Sequence, residues 1–188
     1  PLSAAPIGTC APPGHRSPSG PIEDPVHGAY PLIKAGDQIP EGVLKTFADE
    51  SVVEVNPAEF FAGKRVVLFG VPGAFTPGCS RVHLPGYVEG AEAIKGKGFD
   101  LIACMAVNDA WVMNAWGDSA GALGKISMLA DGSAHYTQAL GLELDLAHVG
   151  MGMRCKRFSM VIQDGVVESV NVDDRAIDLT SAATTCGL

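Results

Sequence analysis

Apolar and polar positions along the chain fall into two kinds of stretch, short β-branched runs of strand length and looser runs with a helical period. Residues 65–71 are an almost unbroken apolar run that stops at the pair Pro72-Gly73, which predicts a strand covered on both faces. Residues 99–107 form a second run of this kind, and residues 126–130 a shorter third. Between the first two, Val82, Tyr87, Val88, Ala91 and Ile94 recur at roughly helical spacing. The helix they predict is kinked at Pro85 and closed by Gly96 and Gly98. Asn108 is expected to cap a helix over residues 109–117 with Trp111, Val112 and Ala115 on its apolar face, and Ser133 to open a short helix towards Leu140. Upstream, residues 43–47 and 51–55 predict a hairpin turning at 48–50, and Asn56 with Pro57 starts a short helix through Phe61. Residues 157–163 and 166–172 flank Asp164-Gly165, the strongest hairpin signal in the chain.

Strands that alternate with helices and end in a hairpin predict a three-layer α/β sandwich with a mixed central sheet. The domain is expected over residues 32–188. Residues 1–31 hold eight of the thirteen prolines and few large apolar side chains, a composition that cannot offset chain entropy by burial. They are read as a flexible N-terminal extension. The chain opens on Pro1 rather than Met, which marks it as a fragment or a processed form. The opening stretch lacks the apolar core of a secretory signal and, with Arg16, Glu23 and Asp24, does not have the Arg-rich, acid-poor character of a mitochondrial presequence.

Charge narrows the function. A formal charge of −8 and a pI near 5.0 argue against nucleic acid, whose phosphates require clustered Lys and Arg. No apolar run approaches the roughly 20 residues of a membrane span. Cys10, Cys79, Cys104, Cys155 and Cys186 are odd in number and share no short spacing, so neither a disulfide framework nor a zinc site is indicated. A reducing, intracellular compartment, cytoplasm or mitochondrion, suits them better. The five histidines are dispersed, and no metal is expected.

The chemistry concentrates at residues 71–80, Val-Pro-Gly-Ala-Phe-Thr-Pro-Gly-Cys-Ser. Cys79 follows the first strand on a short loop and opens the helical stretch, where unpaired N–H groups and the helix dipole favour a thiolate. Thr76-Pro77-Gly78-Cys79 has the spacing of a C-x-x-C redox pair with a hydroxyl in place of the first thiol, so a single sulfur is left beside a group that can donate to or accept from a bound oxygen. Pro72-x-x-x-Thr76-x-x-Cys79 resembles the P-x-x-x-T-x-x-C signature of peroxiredoxins, and the eleven residues from Gly70 to Ser80 resemble the peroxiredoxin-5 or plant type II subgroup. The likeness extends from about Ile33 to the C-terminus.

The resemblance implies a thioredoxin-like fold with the peroxiredoxin insertions, and a thiol peroxidase of hydrogen peroxide and organic hydroperoxides with a role in antioxidant defence. In that reading Cys79 attacks peroxide and becomes a sulfenic acid. Thr76 hydrogen-bonds thiolate and peroxide, Pro72 shields the sulfur, and Arg157, in Cys155-Lys156-Arg157, matches the family's active-site arginine. His83, four residues after Cys79, and Gly73 are assigned supporting roles. Cys104 stands where plant type II relatives carry a second cysteine, a candidate resolving thiol, although its apolar strand suits a packed side chain equally. The mammalian pattern, a cysteine directly after Leu-Thr, is absent: Leu179-Thr180 is followed by Ser181, and Cys186 comes five residues late. An internal disulfide and a one-cysteine cycle completed by thioredoxin, glutaredoxin or glutathione are both admissible. The likeness further implies no organic cofactor and a homodimer.

Two rival readings remain at this level. One is a redox sensor or thiol chaperone that forms mixed disulfides with partner proteins. The other is a Cys-His hydrolase in which His83 activates Cys79, although such chemistry normally draws its histidine from far along the chain.

Overall fold

The computed structural model describes residues 30–174 and 176–188; the Pro-rich stretch 1–29, with Cys10, lies outside them. A hairpin of β1 (Leu44–Ala48) and β2 (Ser51–Val55) leads through α1 (Pro57–Phe61) to β3 (Arg65–Val71). A π-helical turn, Cys79–His83, then runs into α2 (Leu84–Glu89) and α3 (Ala91–Gly96). β4 (Leu101–Ala106), α4 (Ala110–Ser119), β5 (Ser127–Ala130) and α5 (His135–Ala139) follow. A small ribbon of β6 (Glu143–Leu146) and β7 (Gly152–Cys155) precedes the hairpin of β8 (Arg157–Gln163) and β9 (Val166–Asp173), and α6 (Ala182–Cys186) comes last.

The seven-stranded sheet has the order β2-β1-β5-β4-β3-β8-β9. β3 and β5 run parallel to β4, and the other pairings are antiparallel, so the sheet is mixed as expected. Alternation along β3 explains why its sequence is apolar on every position after Arg65. Val67, Phe69 and Val71 join a core beneath α2, α3, α4 and α6, while Val66 and Leu68 join a second core with Phe61, Tyr136 and Leu140 on the opposite face. Each fully buried side chain of this kind contributes roughly 1.5–3 kcal/mol.

At Gly70 only a hydrogen fits, because a Cβ would lie 2.0 Å from Phe158 Cε1. This close approach lets β8, paired Gly70 with Phe158, lie flat against β3 and carries Arg157, the residue before Phe158, to the site.

Several expectations need correction. The helical stretch after Cys79 is broken twice. Pro85 falls in the opening positions of α2, where its missing N–H costs little, and the strain of approaching it is taken up upstream by the π turn, in which Leu84 N–H bonds to Cys79 O. A second break comes at Gly90, against which Leu188 packs: a Cβ there would meet Leu188 Cδ1 at 2.9 Å. α4 is capped by Asp109, which accepts from Val112 N–H, not by Asn108. α5 starts after Ala134 in a left-handed conformation, and Asp131 rather than Ser133 accepts the N–H groups of Tyr136 and Thr137. The β6–β7 ribbon and α6 were not expected at all.

Candidate active site

β3 delivers the chain to a tight loop at the end of the sheet. Pro72 follows its last residue, and Phe75, at φ 61°, reverses the backbone so that Gly73 O receives both the N–H (3.4 Å) and the hydroxyl (2.9 Å) of Thr76. A left-handed non-glycine residue costs on the order of 1–2 kcal/mol. Asn108, two residues past the end of β4, offsets part of this by accepting Ala74 N–H at 3.0 Å. Its position therefore serves the loop and not the cap of α4. A side chain at Gly73 would crowd Thr76 Cγ2 (3.3 Å), Met151 Cε (3.4 Å) and Arg154 Nη1 (3.5 Å), so the loop is enclosed from both sides.

Residues 77 and 78 open the helical turn, Ser80 N–H bonds to Thr76 O at 2.9 Å, and Cys79 is fully buried at the head of the first core. Trp116 of α4 donates its indole N–H to Ser80 Oγ (2.9 Å), which pins this turn to the neighbouring helix. Thr76 is tied into the turn that carries Cys79, but its hydroxyl makes its hydrogen bond to the loop backbone. The Thr76 hydroxyl hydrogen is committed to Gly73 O, so towards a molecule beside the sulfur Oγ1 is an acceptor.

Arg157 arrives from 78 residues further on. Its Nη2 donates to Cys79 Sγ at 3.5 Å, and its Nη1 donates to His83 Nδ1 at 2.9 Å. A Cβ on Gly78 would come within 3.4 Å of that Nη2, so this glycine keeps room for the guanidinium. Arg154, three residues earlier, is employed elsewhere: its Nε and Nη1 donate to Met151 O and Val107 O, both at 2.9 Å.

His83 is buried against Phe69 and Tyr87, which are themselves stacked at 3.9 Å. Burial holds its imidazole down at about 4 against an ordinary 6.5; the hydrogen bond to Thr180 and the charge of Asp173 oppose this, and the Arg157 charge reinforces it. The Nε2 side contacts Thr180 O at 2.9 Å. With one nitrogen on Arg157 and the other on a carbonyl, the neutral ring is not a base for Cys79, and the hydrolase reading loses its geometry.

Cys104 lies in the middle of β4 opposite Phe69, in the same core as Cys79, fully buried and free. Burial pushes its thiol well above the ordinary range, and the neighbouring Cys79 and Cys155 add to this. Cys155 sits in the opposite core, where burial raises its thiol likewise. Cys186, in α6, is pushed up to about 11 by burial against the pull of Lys97 and Arg65. Among the described residues no group of three His, Cys, Asp or Glu could hold a metal ion, and no helix is long and apolar enough to cross a membrane.

The sequence reads Asn108 only as a helix cap and gives Asp173 and Thr180 no role in this site, since the contacts of Asn108 with Ala74 and of Thr180 with His83 span 34 and 97 residues.

Comparison with known proteins agrees with this architecture. The Redoxin family model matches residues 34–185. The chain is 45% identical over 157 residues to Peroxiredoxin-2E-2, chloroplastic, of Oryza sativa subsp. japonica, which spans 80% of this chain and 69% of that protein. It is 45% identical over 142 residues to Peroxiredoxin-2B of Arabidopsis thaliana, across 75% of this chain and 88% of the relative. Among solved structures, reduced Prx3 of Vibrio vulnificus in complex with H2O2 superposes with a TM-score of 0.80 at 47% identity, covering 83% of this chain and 98% of that one.

Proposed function

The chain belongs to the peroxiredoxins, thiol-dependent peroxidases of the redoxin family, and on that premise we propose that Cys79 is its peroxidatic sulfur, with hydrogen peroxide and organic hydroperoxides as substrates. The observation that carries this assignment is the Arg157 Nη2 contact with Cys79 Sγ at 3.5 Å.

The thiolate attacks one peroxide oxygen, the O–O bond breaks, and the distal oxygen leaves as alkoxide or hydroxide, which takes up a proton to become alcohol or water. Cys79 is oxidised to the sulfenic acid. Arg157 stabilises the negative charge as it passes from sulfur to the departing oxygen. Thr76 Oγ1, its own hydrogen given to Gly73 O, accepts the hydrogen of a peroxide hydroxyl and so holds the reacting oxygens in line. Gly73 supports Thr76 through that carbonyl, and Pro72 closes the approach to the sulfur. The complex of the similar Vibrio protein with H2O2 supports a substrate of this size.

The sulfenic acid is reduced by an external thiol: a first thiol condenses with it to a mixed disulfide and water, and a second releases Cys79 and carries away the disulfide. Burial of Cys104 within β4 and the suppressed ionisation of its thiol favour this over an internal disulfide. Glutathione with glutaredoxin, or thioredoxin, supplies that thiol, and two copies of the chain form the working homodimer. Such reductants place the enzyme inside the cell. The name of the rice relative adds the chloroplast to cytoplasm and mitochondrion as candidate compartments.

Intact mass after brief exposure to one equivalent of hydrogen peroxide, with a sulfenic-acid trap, tests the assignment. The wild type gains one trapped adduct, and Cys79→Ser gains none. Equal, slow reaction of the two proteins would remove Cys79 from the chemistry.

A further inference from the structure

We propose that Asp173 and the turn at 178–180 are a positioning device for the reaction assigned to Cys79: they fix the Thr180 carbonyl on His83, select one tautomer of its ring, and thereby aim Arg157 at the sulfur. The proposal rests on the reading of Cys79 given above.

Asp173 closes β9 and is buried. Its Oδ2 accepts the N–H of Asp178 (3.1 Å), the N–H of Thr180 (2.9 Å) and the hydroxyl of Thr180 (2.8 Å), and its Oδ1 accepts the N–H of Leu179 (3.3 Å). Four donors converging on one carboxylate leave the turn a single arrangement. In that arrangement Thr180 O points into the core, where Tyr87 O–H and His83 Nε2 both meet it at 2.9 Å.

A carbonyl oxygen only accepts and a guanidinium only donates. The hydrogen of the neutral imidazole therefore sits on Nε2, facing Thr180 O, and Nδ1 offers its lone pair to Arg157 Nη1–H at 2.9 Å. The opposite tautomer would set an N–H against the guanidinium N–H and a lone pair against the carbonyl. With Nη1 held by His83, Nη2 of the same planar fork is directed to Cys79 Sγ. The device is thus a relay of orientation: carboxylate to turn, turn to imidazole, imidazole to guanidinium, guanidinium to sulfur. No proton need travel along it.

The test uses the whole chain in the reduced state. Long-range nitrogen-proton correlation spectra of the histidine rings, with His83 assigned by its loss in His83→Gln, report the tautomer; stopped-flow oxidation by hydrogen peroxide reports the rate. In the wild type His83 shows the Nε2–H pattern at neutral pH. In Asp173→Asn the amide nitrogen faces N–H donors, the turn loosens, the ring shows mixed tautomers, and the oxidation rate falls roughly ten- to a hundredfold, the scale of a small misplacement at a reacting centre. Should Asp173→Asn fail to fold, Thr180→Val, which removes one of the four donors, is read in the same two ways with a smaller change, and Thr180→Ser restores both signals. An unchanged tautomer, or an unchanged rate once the tautomers have mixed, overturns the proposal. A wild type that does not consume peroxide overturns the reading of Cys79 instead, while the ring spectra still decide whether Asp173 sets the tautomer.

Discussion

Acid should destabilise the protein through His83 over a defined range. Burial holds its imidazole at about 4 in the folded chain, and in the unfolded chain it returns to its ordinary 6.5. Between these values the unfolded state binds a proton that the folded state refuses, so stability rises with pH across the interval. The His83 contribution is complete above about pH 6.5, drains away as the pH falls towards 4, and changes no further below that. At about 1.4 kcal/mol for each tenfold change in proton affinity, the whole interval is worth about 3 kcal/mol, a large part of the 5–15 kcal/mol that typically holds a domain together. Asp173 does not confuse the range. Burial pushes its carboxyl up, but the N–H and O–H donors of Thr180, Asp178 and Leu179 outweigh that and hold it below the ordinary 3.8. Its stabilising effect is present above that ordinary value and is lost only as the pH falls further. Urea unfolding at constant reductant, run from pH 7 to pH 4 on wild type and His83→Gln, isolates the effect, because the other histidines cancel in the difference. The wild type should lose about 3 kcal/mol more than the variant over this span. Parallel pH profiles would refute the argument and mean that His83 accepts a proton in place.

Thr76→Val preserves shape but removes the acceptor and the bond to Gly73 O; it should slow oxidation by peroxide roughly a hundredfold in stopped flow while costing about 1 kcal/mol of stability. Cys104→Val should leave glutathione- or thioredoxin-driven turnover within about twofold of wild type, the spread expected where no bond in the cycle involves the residue, and non-reducing mass analysis should find no Cys79–Cys104 disulfide in the parent. Gly70→Ala places a methyl 2.0 Å from Phe158 Cε1 and should cost at least about 1–3 kcal/mol in urea midpoints. A smaller residue introduced at 158 should recover part of that loss.

What the sequence made legible follows from how local each signal is. β3 and β8 were placed to the residue because apolar runs bounded by Pro72-Gly73 and Asp164-Gly165 carry their own punctuation. Cys79, Thr76 and Gly73 lie within seven residues, so one motif captured all three. Arg157 came from the family likeness alone, since nothing around it differs in kind from Arg154; only the pairing of β8 with β3 separates them. The ribbon of β6 and β7 escaped because four-residue strands with half-buried faces give little alternation to read. Asn108 and Asp173 escaped for a different reason. Each is a polar residue of a type common in loops; Asn108 is distinguished by an N–H group 34 residues away, and Asp173 by an irregular turn whose N–H groups, five to seven residues on, follow no repeating spacing.

The contact between Arg157 and Cys79 joins residues 78 positions apart, across strands that pair only when both halves of the chain are present. During synthesis the ribosome releases Cys79 long before β8 exists. Throughout that interval the sulfur has no guanidinium beside it and no His83–Thr180 brace. Long-range strand pairing is also a slow step in folding. On the role proposed for Cys79, an activated sulfur on an unfinished chain is therefore never assembled, and a nascent polypeptide is expected to meet peroxide without being spent by it. On that role, peroxide reactivity is expected to switch on with the closing of the sheet, so the appearance of fast oxidation in a refolding experiment would mark the moment at which β8 takes its place.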